Sequence, residues 1–216
     1  MTLTLTVMSI ASVLLAQALN VRTRTNANND ALADAQRALN IMSREISEAG
    51  FNLSGNGIVS GDTTTDVYGN SMIRIRSNLN KFDESASTTA RTGISVVGED
   101  AGEDIKYFVY QAANTNLLAR YDEYGPAGGT VTVLANRLDS LHMHYYGGKV
   151  SYSTSGCDVT GASAVEVSPS AAKYVVIAVC VQLGAVGVRG TAGYQPPTNV
   201  LLVSDVTLRN SDLPSY

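Results

Sequence analysis

Charge is missing where this chain begins. None of the first 21 residues carries a charged side chain, Arg22 and Arg24 are the first that do, and only 16% of all 216 residues are Asp, Glu, Lys or Arg. Ordinary globular domains have about 25%. Tryptophan is absent, and cysteine and histidine occur twice each. The first glycine is Gly50 and the first of five prolines is Pro126, so neither strong punctuator interrupts the first 49 residues. There is no run of Lys or Arg, and a net charge of −4 with a pI near 5.1 leaves no electrostatic footprint for nucleic acid. Neither a G-x-S-x-G elbow nor a phosphate-cradling glycine loop occurs. The expectation is a protein that is not an enzyme and needs no cofactor.

What is there is first a helix. Residues 1–21 include fourteen apolar ones, diluted by Thr2, Thr4, Thr6, Ser9, Ser12, Gln17 and Asn20. At ~1.5 Å per residue they reach about 30 Å, one bilayer core, and their hydroxyls can bond back to the preceding turn. A secretory signal is the rival reading, but its basic n-region and small-residue cleavage site are missing. From Asp30 the apolar residues Leu32, Ala35, Leu39, Met42, Ile46, Ala49 and Leu53 recur at spacings of three and four, one stripe of an amphipathic helix over 30–53. Asp34, Arg37, Arg44, Ser47 and Glu48 fall on the solvated side. Between the two lies "NVRTRTNANND" (20–30), rich in weak helix formers, where any loosening of a long helix is expected, with Asn28, Asn29 or Asp30 available to cap a restart. One continuous helix is the alternative.

Beyond Gly50 the chain turns to loops and short strand-like runs: 72–76, 93–97, 105–111, 117–121, 130–134, 138–146, 173–183 and 201–210. The run at 173–183 is the most apolar. Its Val175, Ile177, Val179, Val181 and Leu183 share one face and predict a central strand under the helix stripe. Cys180 then points to the other face, where a covering loop bearing Cys157 can meet it. In an oxidising compartment two cysteines with none left over are most simply one disulfide; two buried free thiols are the alternative. A bridge would close a loop of about twenty-odd residues and contribute roughly 3 kcal/mol.

Sharper chemistry finds little support. His142 and His144 share one strand face, but no third metal ligand accompanies them. Ser170 and Lys173 have the S-x-x-K spacing of penicillin-binding enzymes, yet the Lys opens a strand and no K-T-G follows. The acidic loops "GDTTTDVYGN" and "GEDAGED" lack EF-hand spacing and read as solvated turns. Eleven tyrosines read as sheet residues, with Tyr121, Tyr124, Tyr145 and Tyr146 as candidates for a surface contact. Ser/Thr-rich loops are candidate sites for surface glycans.

The neutral apolar opening "MTL", the uninterrupted N-terminal helix and the Cys-clipped β region resemble a mature type IV pilin. "AQRALNIMSREISEAGFNLSG" (35–55) resembles the helix-to-loop passage of PilW-like minor pilins and pseudopilins, as do "LDSLHMHYY" and "VTLRN" in the sheet. The resemblance covers the first fifty residues and scattered strands after them, with almost nothing between 56 and 130. It implies an α+β, type IV pilin-like fold. Residues 1–29 would form a protruding apolar helix, and 30–216 a globular domain built on the amphipathic helix and an antiparallel sheet.

The resemblance also implies processing by a prepilin peptidase and N-terminal methylation at Met1. The inner membrane would hold the unassembled precursor, and the pilus assembly machinery would build an extracellular helical homopolymer from copies of the chain. The core would pack through Leu3, Leu5, Val7, Met8, Ile10, Val13, Leu14, Leu15 and Leu19. Two departures stand out. Leu5 occupies the place of a glutamate that pairs with a neighbouring subunit's amine, a habit of minor or tip pilins that prime assembly of a pilus or a type II secretion pseudopilus. Arg22 and Leu14 replace a proline and a glycine that help the helix melt. Outside this family, the reading is a bitopic membrane protein that forms no filament. Arg22 and Arg24 would then hold its C-terminal domain in the cytoplasm, where a disulfide is out of place.

Overall fold

The computed structural model describes residues 2–53, 55–79, 101–112, 115–125, 129–190 and 193–210, with the side chains of 2–7, 9 and 10 left out. The strand expected at 93–97 lies outside the described residues. One helix, α1 (Thr2–Glu48), is followed by β1 (Ile73–Arg76), β2 (Asp104–Ala112), β3 (Thr115–Asp122), β4 (Thr130–Tyr146), β5 (Ser153–Ser155), β6 (Asp158–Thr160), β7 (Tyr174–Leu183) and β8 (Thr198–Thr207). Six strands form a single antiparallel sheet in the order β1-β2-β3-β4-β7-β8, and β5-β6 is a separate hairpin. The fold is therefore α+β, with one N-terminal helix packed on an antiparallel sheet.

The lower half of α1 lies across β4, β7 and β8. Its buried stripe is Ala31, Ala35, Ala38, Leu39, Met42 and Ile46, with Ala49 just past its end, against Val175, Ile177, Val179 and Val181 of β7 and Leu141 and Met143 of β4. Ala31 and Ala38 extend the stripe beyond the residues expected. The small alanines let the helix approach the sheet, while Leu39, Met42 and Ile46 fill the core. Leu32 is only half-buried. Glu45, on the flank, accepts hydrogen bonds from the Tyr107 hydroxyl and from Arg120 Nε, the latter at 3.0 Å. Burial, and then the Glu45 carboxylate, hold the Tyr107 proton on well above its usual pKa.

The helix stops at Glu48, earlier than the 30–53 expected, and Leu53 sits half-buried outside it. Gly50 takes φ +79°, and a Cβ there would fall 2.5 Å from the Gly55 carbonyl oxygen. Gly57 comes closer still: its Cβ would lie 2.1 Å from the Gly50 nitrogen. Two glycine backbones thus cross where the helix ends. Asn210 donates its side-chain amide to the carbonyls of Glu48 and Ala49 at 3.3 and 3.2 Å, satisfying groups that a helix end leaves open. The apolar spacing continued through Gly50, but the backbone did not.

The two runs expected at 130–134 and 138–146 are one 17-residue strand. It bends where its register with β7 slips between Leu138 and Ser140, and Arg137 adopts φ +56°, a conformation rare for a side chain of this size. The other face of β7 meets a second cluster of Tyr146, Val150, Val159, Tyr174, Val176 and Ala178. That cluster lies under the β5-β6 hairpin, which the sequence reading did not anticipate. Cys157, in the hairpin turn, is joined to fully buried Cys180 on this face.

Candidate interaction surface on the N-terminal helix

The upper half of α1 leaves the sheet, and residues 8 and 11–26 are exposed. Met8 is 72% exposed, Leu15 63%, Leu14 60% and Leu19 54%, with Val13 and Val21 also open. Single exposed leucines are ordinary, but a contiguous apolar surface of this kind marks an interface or a membrane contact. Met1 lies outside the described residues, as do the side chains of Leu3, Leu5, Val7 and Ile10. Among the described residues no helix is long and apolar enough to cross a membrane. Of the hydroxyls expected to bond back to the preceding turn, Ser12 is described and donates to the Met8 carbonyl at 2.8 Å; beyond residue 21, Thr23 donates to Leu19 at 2.9 Å and Thr25 to Val21 at 3.0 Å. Each hydroxyl is satisfied within the helix and adds no isolated donor to the surface.

No loosening occurs at 20–30; α1 is continuous there. Asn28 supplies the reason. Its side-chain amide donates to the Gly184 carbonyl at 3.0 Å, and its oxygen accepts from the Gly184 N–H at 3.1 Å. Arg137 donates to the same oxygen at 3.1 Å. The kinked strand β4 and the end of β7 therefore grip one residue in the middle of the weak segment. One turn earlier, Arg24 donates to the Ala185 carbonyl at 3.3 Å.

Next to that grip a tongue of chain is closed at its base through paired backbone bonds of 2.9 and 2.8 Å between Val186 and Gln195, and its described residues are 186–190 and 193–195. Gly187 and Val188 at its near end and Gly193 at its far end, with Gln17, Asn20, Val21 and Arg24 of the helix, line a notch of about 280 Å³. Positions 17, 20, 21, 24 and 28 continue the face that carries 31, 35, 38, 42 and 46 lower down. One helix face therefore looks at its own domain throughout. Below Asn28 this face is apolar and buried. At the level of the tongue it carries Gln17, Asn20, Val21 and Arg24, while Leu15 and Leu19, both more than half exposed, lie on the far side with Arg22. The upper helix thus sets two amides and Arg24 toward its own domain and leaves Leu15 and Leu19 exposed on the opposite side.

The remaining candidates take up structural positions. His144 lies between two carboxylates, Nδ1 2.6 Å from Glu166 and Nε2 2.8 Å from Asp158, the neighbour of Cys157. Burial disfavours the charged ring, but the bonds to Asp158 and Glu166 outweigh it and raise the pKa above its ordinary 6.5. His144 thus fastens the hairpin to β4 beside the disulfide. Asp139, Cys157 and Cys180 cluster closely, but both sulfurs are in the disulfide and offer no thiolate to a metal. Ser170 sits in a single 3₁₀ turn, Pro169–Ala171, its hydroxyl 3.5 Å from that of Ser168. In the first acidic loop, Asp66 accepts the N–H groups of Tyr68 and Asn70, both at 2.8 Å, closing its own turn. Asp104 of the second is buried and bound by Arg74 at 2.6 Å and Arg76 at 2.9 Å.

Arg137 and the hairpin clasp went unread in the sequence, and Asn28, expected only as one possible cap of a helix restart, instead binds Gly184 and Arg137. The amide at 28 has two neighbours of the same kind, Asn26 and Asn29, and only the fold separates them. Gln17 and Asn20 did carry a signal, since three-residue spacing puts both amides on one face of an otherwise apolar helix. Comparison with family models, with curated proteins and with solved structures finds no match.

Proposed function

We propose that this chain is a structural subunit of a type IV pilus-like extracellular filament, a polymer of itself held by packing of its N-terminal helices. The exposed apolar side chains of the upper helix carry the reading. The amides and Arg24 turn inward to the chain's own domain, and Leu15 and Leu19 turn outward, where only an apolar neighbour stabilises them. Fully burying such a side chain gains about 1.5–3 kcal/mol relative to exposure, and several per subunit offset the cost of immobilising it. Repeating one surface by a rotation that does not close gives a helical polymer. The continuous, clamped α1 supports a stiff stalk rather than a hinge. Before assembly the same surface suits the inner membrane, and the disulfide suits a domain on the oxidising side.

Leu5 favours a second reading within the same machinery, a minor or tip subunit that primes assembly, since it offers no carboxylate to a neighbour's terminal amine. Mass spectrometry of the N-terminal peptide from sheared surface material tests both. An N-methylated Met1 in an abundant sheared protein supports the shaft subunit. The same peptide at trace abundance favours the tip. An unmodified start on a protein that stays with the membrane fraction refutes the filament reading.

A further inference from the structure

In an antiparallel sheet with one face on the core, the other face is ordinarily polar. The strands β2, β3 and the first part of β4 depart from that pattern. Their opposed pairs Tyr107–Arg120 and Val109–Leu118 face the helix, the first reaching Glu45 and the second lying in the core. Alternate residues therefore face outward. The register sets Phe108, Ala119 and Val133 in one outward row, Tyr121 beside Val131 in the next, and Tyr110 opposite Leu117. Tyr110, Val131 and Val133 are each more than half exposed. On the β1 side this apolar patch ends at Lys106, Arg74 and Arg76, and Asp62 and Asp104 pair with these three cations.

We infer that this outer sheet face receives the N-terminal helix of a second copy of the chain, through its exposed stripe Met8, Ala11, Leu15 and Leu19. The inference rests on the filament reading and names the surface that a neighbour's helix meets. Three observations select that occupant. The first is neutrality. The patch carries no charge and the cations at its border are already paired, so a charged partner would lose hydration and gain no counter-charge. Residues 1–21 are uncharged. The second is size. With strands ~4.8 Å apart and ~3.4 Å per residue, the patch measures about 10 Å by 14 Å between its outermost positions, far less than the ~800 Å² per partner of a stand-alone complex. A closed dimer through this face alone would be weak, whereas a contact between two different surfaces recurs in every subunit of a polymer. The third is shape. The patch is about one helix wide, and Met8 to Leu19 spans about 17 Å at ~1.5 Å per residue. All four stripe residues are exposed, and Arg22 ends the stripe. They repeat the three-and-four spacing with which Ala31, Ala35, Ala38 and Met42 already pack on the opposite face of the same sheet. The sheet then lies between its own helix and its neighbour's.

The test places a photo-reactive benzophenone side chain at position 133 of the full-length chain in the producing cells. After irradiation, a covalent dimer on a denaturing gel in which position 133 is joined to the tryptic peptide 1–22 supports the inference. Dimers joined through any other peptide, adducts to lipid or to another protein, or a lack of adducts overturn it. Two substitutions separate this contact from the parent reading: Val133→Glu charges the patch, and Leu15→Glu charges the helix stripe. The expected result is at least a tenfold drop in sheared filament for each, with the urea midpoint of the Val133→Glu chain unchanged. Wild-type yield from Val133→Glu with loss from Leu15→Glu overturns the sheet-face contact and leaves the filament reading intact. Wild-type yield from both removes the filament reading and the contact together.

Discussion

Replacing Asn28 by alanine should loosen the middle of the helix, although alanine is the better helix former. The side chain makes three hydrogen bonds, two with the Gly184 backbone and one with Arg137, at 3.0–3.1 Å. At these solvent-accessible positions each contributes about 0.5–1 kcal/mol net. The gain in helix propensity returns roughly 0.6 kcal/mol, leaving a loss of about 1–2 kcal/mol. Asn29, one residue on, is exposed and makes no hydrogen bond among the described residues. Asn29→Ala therefore has only the propensity term and should be neutral or slightly stabilising. Hydrogen exchange of the 20–30 amides checks this, with β7 amides as the internal reference. Asn28→Ala should speed exchange across 20–30 by about tenfold, since 1.4 kcal/mol is a factor of ten, and Asn29→Ala should not. Equal effects from the two substitutions would refute the clamp.

Three further outcomes follow from the packing. Ile46→Ala, at a fully buried position against β7, should cost about 2–5 kcal/mol in urea unfolding, and Leu32→Ala, only half-buried, clearly less. Replacing both Cys157 and Cys180 by alanine opens a loop with a sequence separation of 23 and should lower stability by about 3 kcal/mol in chemical denaturation. For His144 the folded pKa is raised above 6.5, so its contribution to stability is complete below 6.5 and is lost as pH rises through the folded value. The urea midpoint should fall over that window in the native chain and stay flat in His144→Gln. An NMR titration placing the ring at or below its ordinary pKa would refute the clasp.

Much of this architecture could be read from residue order because it rests on local periodicity. Three-and-four spacing gave the helix stripe, and alternation along 173–183 placed Val175, Ile177, Val179 and Val181 on one face and Cys180 on the other. That alternation is a property of any extended strand, so a Cys157–Cys180 bridge on the far face was legible before any fold. The lack of charge over residues 1–21 is likewise read without any tertiary structure.

Tertiary structure decided what no local rule contains. Composition marks 20–30 as weak, yet a helix persists there because Gly184 and Arg137, more than a hundred residues away in sequence, supply partners to Asn28. The apolar pattern runs on to Leu53, but the helix ends at Glu48 because the backbones of Gly50 and Gly57 must pass within contact. Above all, periodicity says that Gln17, Asn20 and Arg24 share a face without saying which way that face looks. The contacts of Asn28 with Gly184 and of Arg24 with Ala185 determine that it looks inward, so the helix presents Leu15 and Leu19 to the outside.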